Sequence, residues 1–77
     1  MTITELKAFS PLLAHRVNAL GEDGYRVVTI ADLLHVIYIK CKHLTNGNVI
    51  TIFAYKATDT MVQYTNSKLT YQGDITG

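Results

Sequence analysis

The side chains best suited to nucleophilic or metal chemistry are one cysteine and three histidines. Cys41 and His43 alternate onto one side of an extended segment and could in principle share a metal ion. A zinc site needs about four ligands, though, and no second cysteine or histidine pair follows. An apolar-flanked lone cysteine serves more simply as a small core residue, and a histidine near a hairpin end as a solvated one. Asp32, His35 and Cys41 together suggest an orienter, a base and a nucleophile. Asp32 falls in a turn, however, and Cys41 alternates into the core, so these three residues do not support catalysis. His15 sits beside Arg16 on a helix and is expected to be exposed. Gly21 and Gly24 follow a helix instead of preceding one, so they offer no helix N-terminus to a phosphate. The acids lie in caps and turns, which leaves no pair of carboxylates facing one another for hydrolysis. The chain reads as a non-enzyme, with no catalytic residue, metal or cofactor expected.

The set with binding chemistry is Tyr38, Lys40, Lys42, Phe53 and Tyr55. Aromatic rings give flat surfaces on which bases stack while lysines meet phosphates. The same residues suit an interface with a second copy or with another protein, where aromatics are enriched. They also suit a solvated face, with lysines guarding a sheet against aggregation. A protein partner is the first expectation, and nucleic acid or a small nucleotide the second.

Length and composition limit what can hold these residues in place. A chain of 77 residues has room for one core, so residues 1–77 are read as one domain. With 48% hydrophobic and 17% charged residues it is too apolar for a disordered chain. A formal charge of +1 provides no global field towards nucleic acid or anionic lipid, so any charged partner must meet a local patch. One cysteine cannot form an internal disulfide, which points to a reducing, cytoplasmic compartment. Glu5 and Lys7 interrupt the apolar start, so neither a signal peptide nor a membrane span is read there. Small apolar domains gain stability by self-association, so a homodimer or higher oligomer is expected.

The expected fold is α+β, with an N-terminal helix on an antiparallel sheet of three to five strands. Ile3, Leu6, Phe9, Leu13, Val17 and Leu20 recur at helical spacing and mark one buried stripe. Thr2 and Glu5 fit a capping box, and Gly21 fits a left-handed C-terminal cap. Pro11 interrupts the helix. The stripe keeps its phase across it, which favours one kinked helix over a second helix capped by Ser10. After a turn at Gly21 to Gly24, Tyr25 to Ile30 reads as a strand broken by Ala31 and Asp32. The runs Leu33 to Leu44 and Val49 to Ala57 flank Asn46-Gly47, a strong hairpin signal. A two-residue loop there sets Leu44 opposite Val49, Cys41 opposite Ile52 and Ile39 opposite Ala54. Ile37, Ile39, Cys41, Ile50, Ile52 and Ala54 then share the face that receives the helix. Met61 to Thr65 and Leu69 to Gln72 read as a hairpin turned at Asn66-Ser67, in preference to a short helix capped by Asp59. Residues 73–77 have little to anchor them and are expected to fray.

The run Val17-Asn18-Ala19-Leu20-Gly21-Glu22-Asp23-Gly24-Tyr25-Arg26-Val27-Val28 resembles the signature of a small bacterial and phage domain family of uncharacterised function. In that family a helix ends in Leu-Asn-x-Leu-Gly, followed by x-x-Gly-Trp, a valine-rich strand and a second strand. The likeness spans Leu13 to Lys42. Val17 stands for the usual leucine, Tyr25 for the usual tryptophan, and the strand that normally precedes the helix is missing. The resemblance implies helix, tight glycine-bounded turn, strand, strand, and it carries no functional residues. A small stoichiometric binder of this kind would suit a phage or mobile-element inhibitor of a host factor.

Overall fold

The computed structural model describes residues 1–76. Two helices, α1 (Ile3–Phe9) and α2 (Pro11–Glu22), precede five strands. These are β1 (Tyr25–Asp32), β2 (Val36–His43), β3 (Val49–Tyr55), β4 (Thr60–Thr65) and β5 (Lys68–Asp74). The strands form one antiparallel sheet in sequence order, and the helices cover one of its faces. The α+β architecture expected from the hydrophobic pattern is therefore present.

The helical region is not one kinked helix, because Ser10 leaves helical geometry (φ −150°, ψ 104°) and starts a second helix. Its Oγ accepts the Leu13 N–H, while Pro11 takes the first helical position, where its missing N–H costs nothing. The break re-aims the stripe. Leu6, Leu13, Ala14 and Val17 are buried, while Ile3 and Phe9 turn partly outward. The Thr2–Glu5 capping box forms as expected, with Thr2 Oγ1 accepting the Glu5 N–H and the Glu5 carboxylate accepting the Thr2 N–H. The Thr2 backbone N–H and then its hydroxyl, both bonding the carboxylate, hold the Glu5 pKa below its ordinary value. The contribution of this cap is therefore present above the ordinary carboxylate pKa and is lost as pH falls through the lowered one. At the other end α2 runs through Gly21 to Glu22, and the left-handed residue is Gly24 (φ 94°). The left-handed residue comes three positions later because Asp23 closes the helix by donating back to Ala19 and Leu20.

Strand β1 continues through Ala31 and Asp32, which were expected to end it. Both find partners on β2, Tyr38 and Ile37. In the central hairpin β2 pairs with β3 so that Cys41 faces Ile50, Ile39 faces Ile52 and Ile37 faces Ala54. That register is two residues away from the one a two-residue loop would set. The loop is longer because the His43 N–H closes on the Asn48 carbonyl, and His43 Nδ1 accepts the N–H groups of Thr45 and Asn46. A slip of two preserves the side-chain face, so the expected inner set is the observed one. Ile37, Ile39, Cys41, Ile50, Ile52 and Ala54 are all buried against the helices, joined by Met61 and Ile75.

The second hairpin turns at Asn66 and Ser67, both at positive φ (51° and 70°), as a tight two-residue turn demands. Residues 73–76 do not fray as a block. Gly73 and Asp74 pair with Met61 and Thr60, and Ile75 is 2% exposed. The Ile75 carbonyl accepts the Ser10 hydroxyl, and its N–H bonds the Asp59 carbonyl. An apolar side chain that the core takes up outweighs the glycines beside it. The expectation for Gly77 lies outside the described residues.

Ser10 thus caps α2 and ties the last strand to the helices with one buried hydroxyl. Ser10→Ala removes both bonds and leaves a buried carbonyl short of a donor, so it should cost about 1–3 kcal/mol in urea unfolding. Gly24→Ala should cost a similar amount, about 1–3 kcal/mol. Its φ is left-handed, and the added Cβ would lie 2.8 Å from the His43 ring.

Candidate functional site

The face of the sheet away from the helices has no covering layer. Alternation along β2 and β3 puts Tyr38, Lys40 and Lys42 there, opposite Phe53, Thr51 and Val49. Tyr38 and Phe53 are direct cross-strand partners, with ring centroids 5.4 Å apart and planes tilted by 50°. Tyr55 lies two residues beyond Phe53, opposite Val36, towards the other end of the strand and 42% exposed. The structure therefore brings Tyr38 and Phe53 together, places Lys40 and Lys42 at one end of them, and sets Tyr55 at the other.

Three contributors were missing from the sequence-derived set. Tyr64 on β4 meets Phe53 edge to face, with centroids 6.1 Å apart and planes at 80°, and Val62 lies directly opposite Phe53. Their signal was present, since Val62 and Tyr64 share one parity in a segment read as a strand. What was missing was the pairing that tells which parity faces outward. Arg26 is the third. It sits directly opposite Lys42, with Lys40 two residues along. Like charges placed opposite one another across a sheet repel, and water alone screens them here. Arg26, Val28, Lys42, His43 and Leu44 line a hollow of about 280 Å³ at this basic corner, and Leu44 is 68% exposed. Among the described residues the sole ion pair is Lys56–Asp32, between the loop after β3 and the end of β1, so no carboxylate neutralises the corner.

The rings are packed edge-on and tilted against one another instead of lying flat side by side. Such a cluster resembles half of a protein core more than a row of stacking platforms. Centre and corner together form an apolar patch with a cationic flank.

The other residues with chemical potential lie elsewhere. Cys41 is buried under the helices, and loss of solvent raises its pKa. Asp32 and His35 lie at the opposite end of β2, and six residues of strand between His35 and Cys41 span roughly 20 Å. The structure does not bring the three together, and Asp32 is held by Lys56. His43 is half-buried instead of freely solvated. Tyr25 packs edge-on to its ring at 4.8 Å, its Nε2 donates to the Asp23 carbonyl, and its Nδ1 accepts two backbone N–H groups. Both nitrogens are thus occupied in shaping the hairpin and the turn before β1. No group of three or more potential metal-binding side chains converges among the described residues. No helix among them is long and apolar enough to cross a membrane.

Comparison with protein-family models, with curated proteins and with solved structures finds no match to this chain.

A thiol held neutral by burial should be inert. Cys41 should fail to react with an aromatic disulfide reagent in native buffer at neutral pH, and should react fully once urea unfolds the chain. Rapid native labelling, followed by absorbance, would show that the sheet opens at this position.

Proposed function

We propose that this is a non-enzymatic binding protein that docks on another protein through the uncovered face of its sheet. The observation that carries this reading is the Tyr38–Phe53–Tyr64 cluster on a face with no second layer. Its rings pack tilted and edge-on, as they do in a protein interior. The partner's chemistry follows from the corner beside it. Arg26, Lys40 and Lys42 lack carboxylates and call for an apolar surface edged by Asp or Glu. The buried free thiol supports a reducing, cytoplasmic setting for the encounter. A phage or mobile-element inhibitor of a host factor would act in this way.

Nucleic acid is the second reading, favoured by the three cations beside half-covered rings. It is the weaker one because tilted rings offer less flat area for bases to stack on.

Selection from a random peptide display library separates the two. The protein reading expects selected binders rich in aromatic or aliphatic residues together with Asp and Glu. Phe53→Ala should weaken them by about tenfold or more, with a smaller loss from raising salt. The reading is overturned if the selected binders ignore Phe53→Ala. It is also overturned if a single-stranded oligonucleotide binds more tightly, with a steep salt dependence that Lys40→Ala and Lys42→Ala together abolish.

A further inference from the structure

Strand β1 is an open edge of the sheet. The hydrogen bonds at its two ends show which of its backbone groups are free. Leu33 N–H bonds the Val36 carbonyl at one end, and Leu44 N–H bonds the Gly24 carbonyl at the other. In an antiparallel ladder the residues bonded to a neighbour alternate with residues whose N–H and C=O point away. Counting inward from both ends leaves Ile30 and Asp32, and Tyr25 and Val27, pointing away from β2. The terminal ammonium of Met1 reaches the Ile30 carbonyl from outside, as that count requires. Between the two halves Val28 is an extra residue, a bulge in the pairing with β2.

This spacing is its own complement. Turned antiparallel to itself about a point between Val28 and Thr29, the strand places Val27 opposite Ile30 and Tyr25 opposite Asp32. All four outward-facing residues meet outward-facing residues. The extra residue falls in the middle of both strands, so two copies stay in step, whereas a straight strand would slip by one at the bulge. The same four side chains lie on the helix side of the sheet, where Tyr25 and Ile30 pack on the core, as do Cys41, Ile39 and Ile37 opposite Val27, Ile30 and Asp32. Beside them is a cavity of about 520 Å³ between β1 and the helices, lined by Ile3, Val17, Val27, Val28 and Ile30 among others. Val27 and Val28 are 40% and 53% exposed at its mouth.

Charge agrees with the same alignment. Arg26 comes opposite the partner's Ala31, and Asp32 opposite the partner's Tyr25, so like charges do not meet. The Lys56 end of one copy lies alongside the exposed Glu22–Asp23 end of the other.

We propose that two copies of this chain join through their β1 edges in this alignment. The two five-stranded sheets become one continuous sheet, and Val27 and Ile30 of each copy enter the cavity of the other. The Val27 N–H replaces the Met1 ammonium on the partner's Ile30 carbonyl. The docking faces of the two copies then lie side by side on one surface, but the dimer does not depend on the function proposed for that face.

Light scattering on the purified full chain tests this with two variants. Val27→Pro removes an N–H that points away from β2, so it should leave the internal ladder intact and give a folded monomer by circular dichroism. Phe53→Glu, on the outer face, should remain a dimer. A monomeric native chain at about 0.1 mM, a concentration roughly a hundredfold above a micromolar Kd, overturns the proposal. So does a folded Val27→Pro that stays dimeric, or a Phe53→Glu that becomes a folded monomer, which would move the subunit contact to the outer face. Should Val27→Pro not fold, amide exchange on the native chain decides. The Tyr25, Val27, Ile30 and Asp32 amides should gain protection together as concentration rises, and concentration-independent exchange at these four rules the pairing out.

Discussion

Facing Ile37, Ile39 and Cys41 on β2 are Ala54, Ile52 and Ile50 on β3, and all six are buried. A strand alternates its side chains, so a slip of one residue here would carry all six to the wrong side and leave the helices nothing to pack on. Leu6, Leu13, Ala14 and Val17 complete the same core from above, with Met61 on β4 and Ile75 just past the end of β5. Each large side chain buried there is worth about 1.5–3 kcal/mol, so the set together outweighs any single cap or turn. The caps and turns therefore adjust to the face this pairing sets.

The uncovered face follows from the same economy. Two short helices can cover one side of a five-stranded sheet, and the residues of opposite parity must face whatever lies on the other. A face adapted to water alone would carry mixed charges and small polar groups. This one has three aromatic rings at its centre and, at one corner, Arg26 directly opposite Lys42. Neither helps the isolated chain, since the rings are left half-covered and the cations repel. Both become favourable once a complementary apolar and acidic surface closes over them.

The chain is tied at several points far apart in sequence. Ser10 holds Ile75, Asn66 accepts the Val49 N–H and donates to Asn48, and His43 gathers Asp23, Thr45 and Asn46. These polar ties lie at element ends, where backbone groups would otherwise lack partners. His43 and Asn66 thus secure the end of the sheet where the central hairpin turns, and Ser10 secures the other.

Local pattern alone determined much of this protein. Period-two alternation in β2 and β3 identified both faces of the sheet, the Thr2–Glu5 spacing marked the first cap, and Asn66-Ser67 marked the last turn, because each of these depends on neighbours close in sequence. Tyr38, Lys40, Lys42, Phe53 and Tyr55 were legible as one face for the same reason. Tertiary structure decided the rest. Ser10 could break the helix where the stripe suggested continuity because Ile75, far away in sequence, offers its carbonyl to the same hydroxyl. The hairpin register moved by two because the His43 side chain closed a longer loop. Tyr64 and Arg26 joined the outer face only through the pairing of β4 with β3 and of β1 with β2. Residues 73–76 were held by a core that the terminal sequence does not reveal. Apart from the hairpin loop, where His43 meets Thr45 and Asn46 close by in sequence, the deciding partner lay many residues away, where periodicity and propensity carry no information.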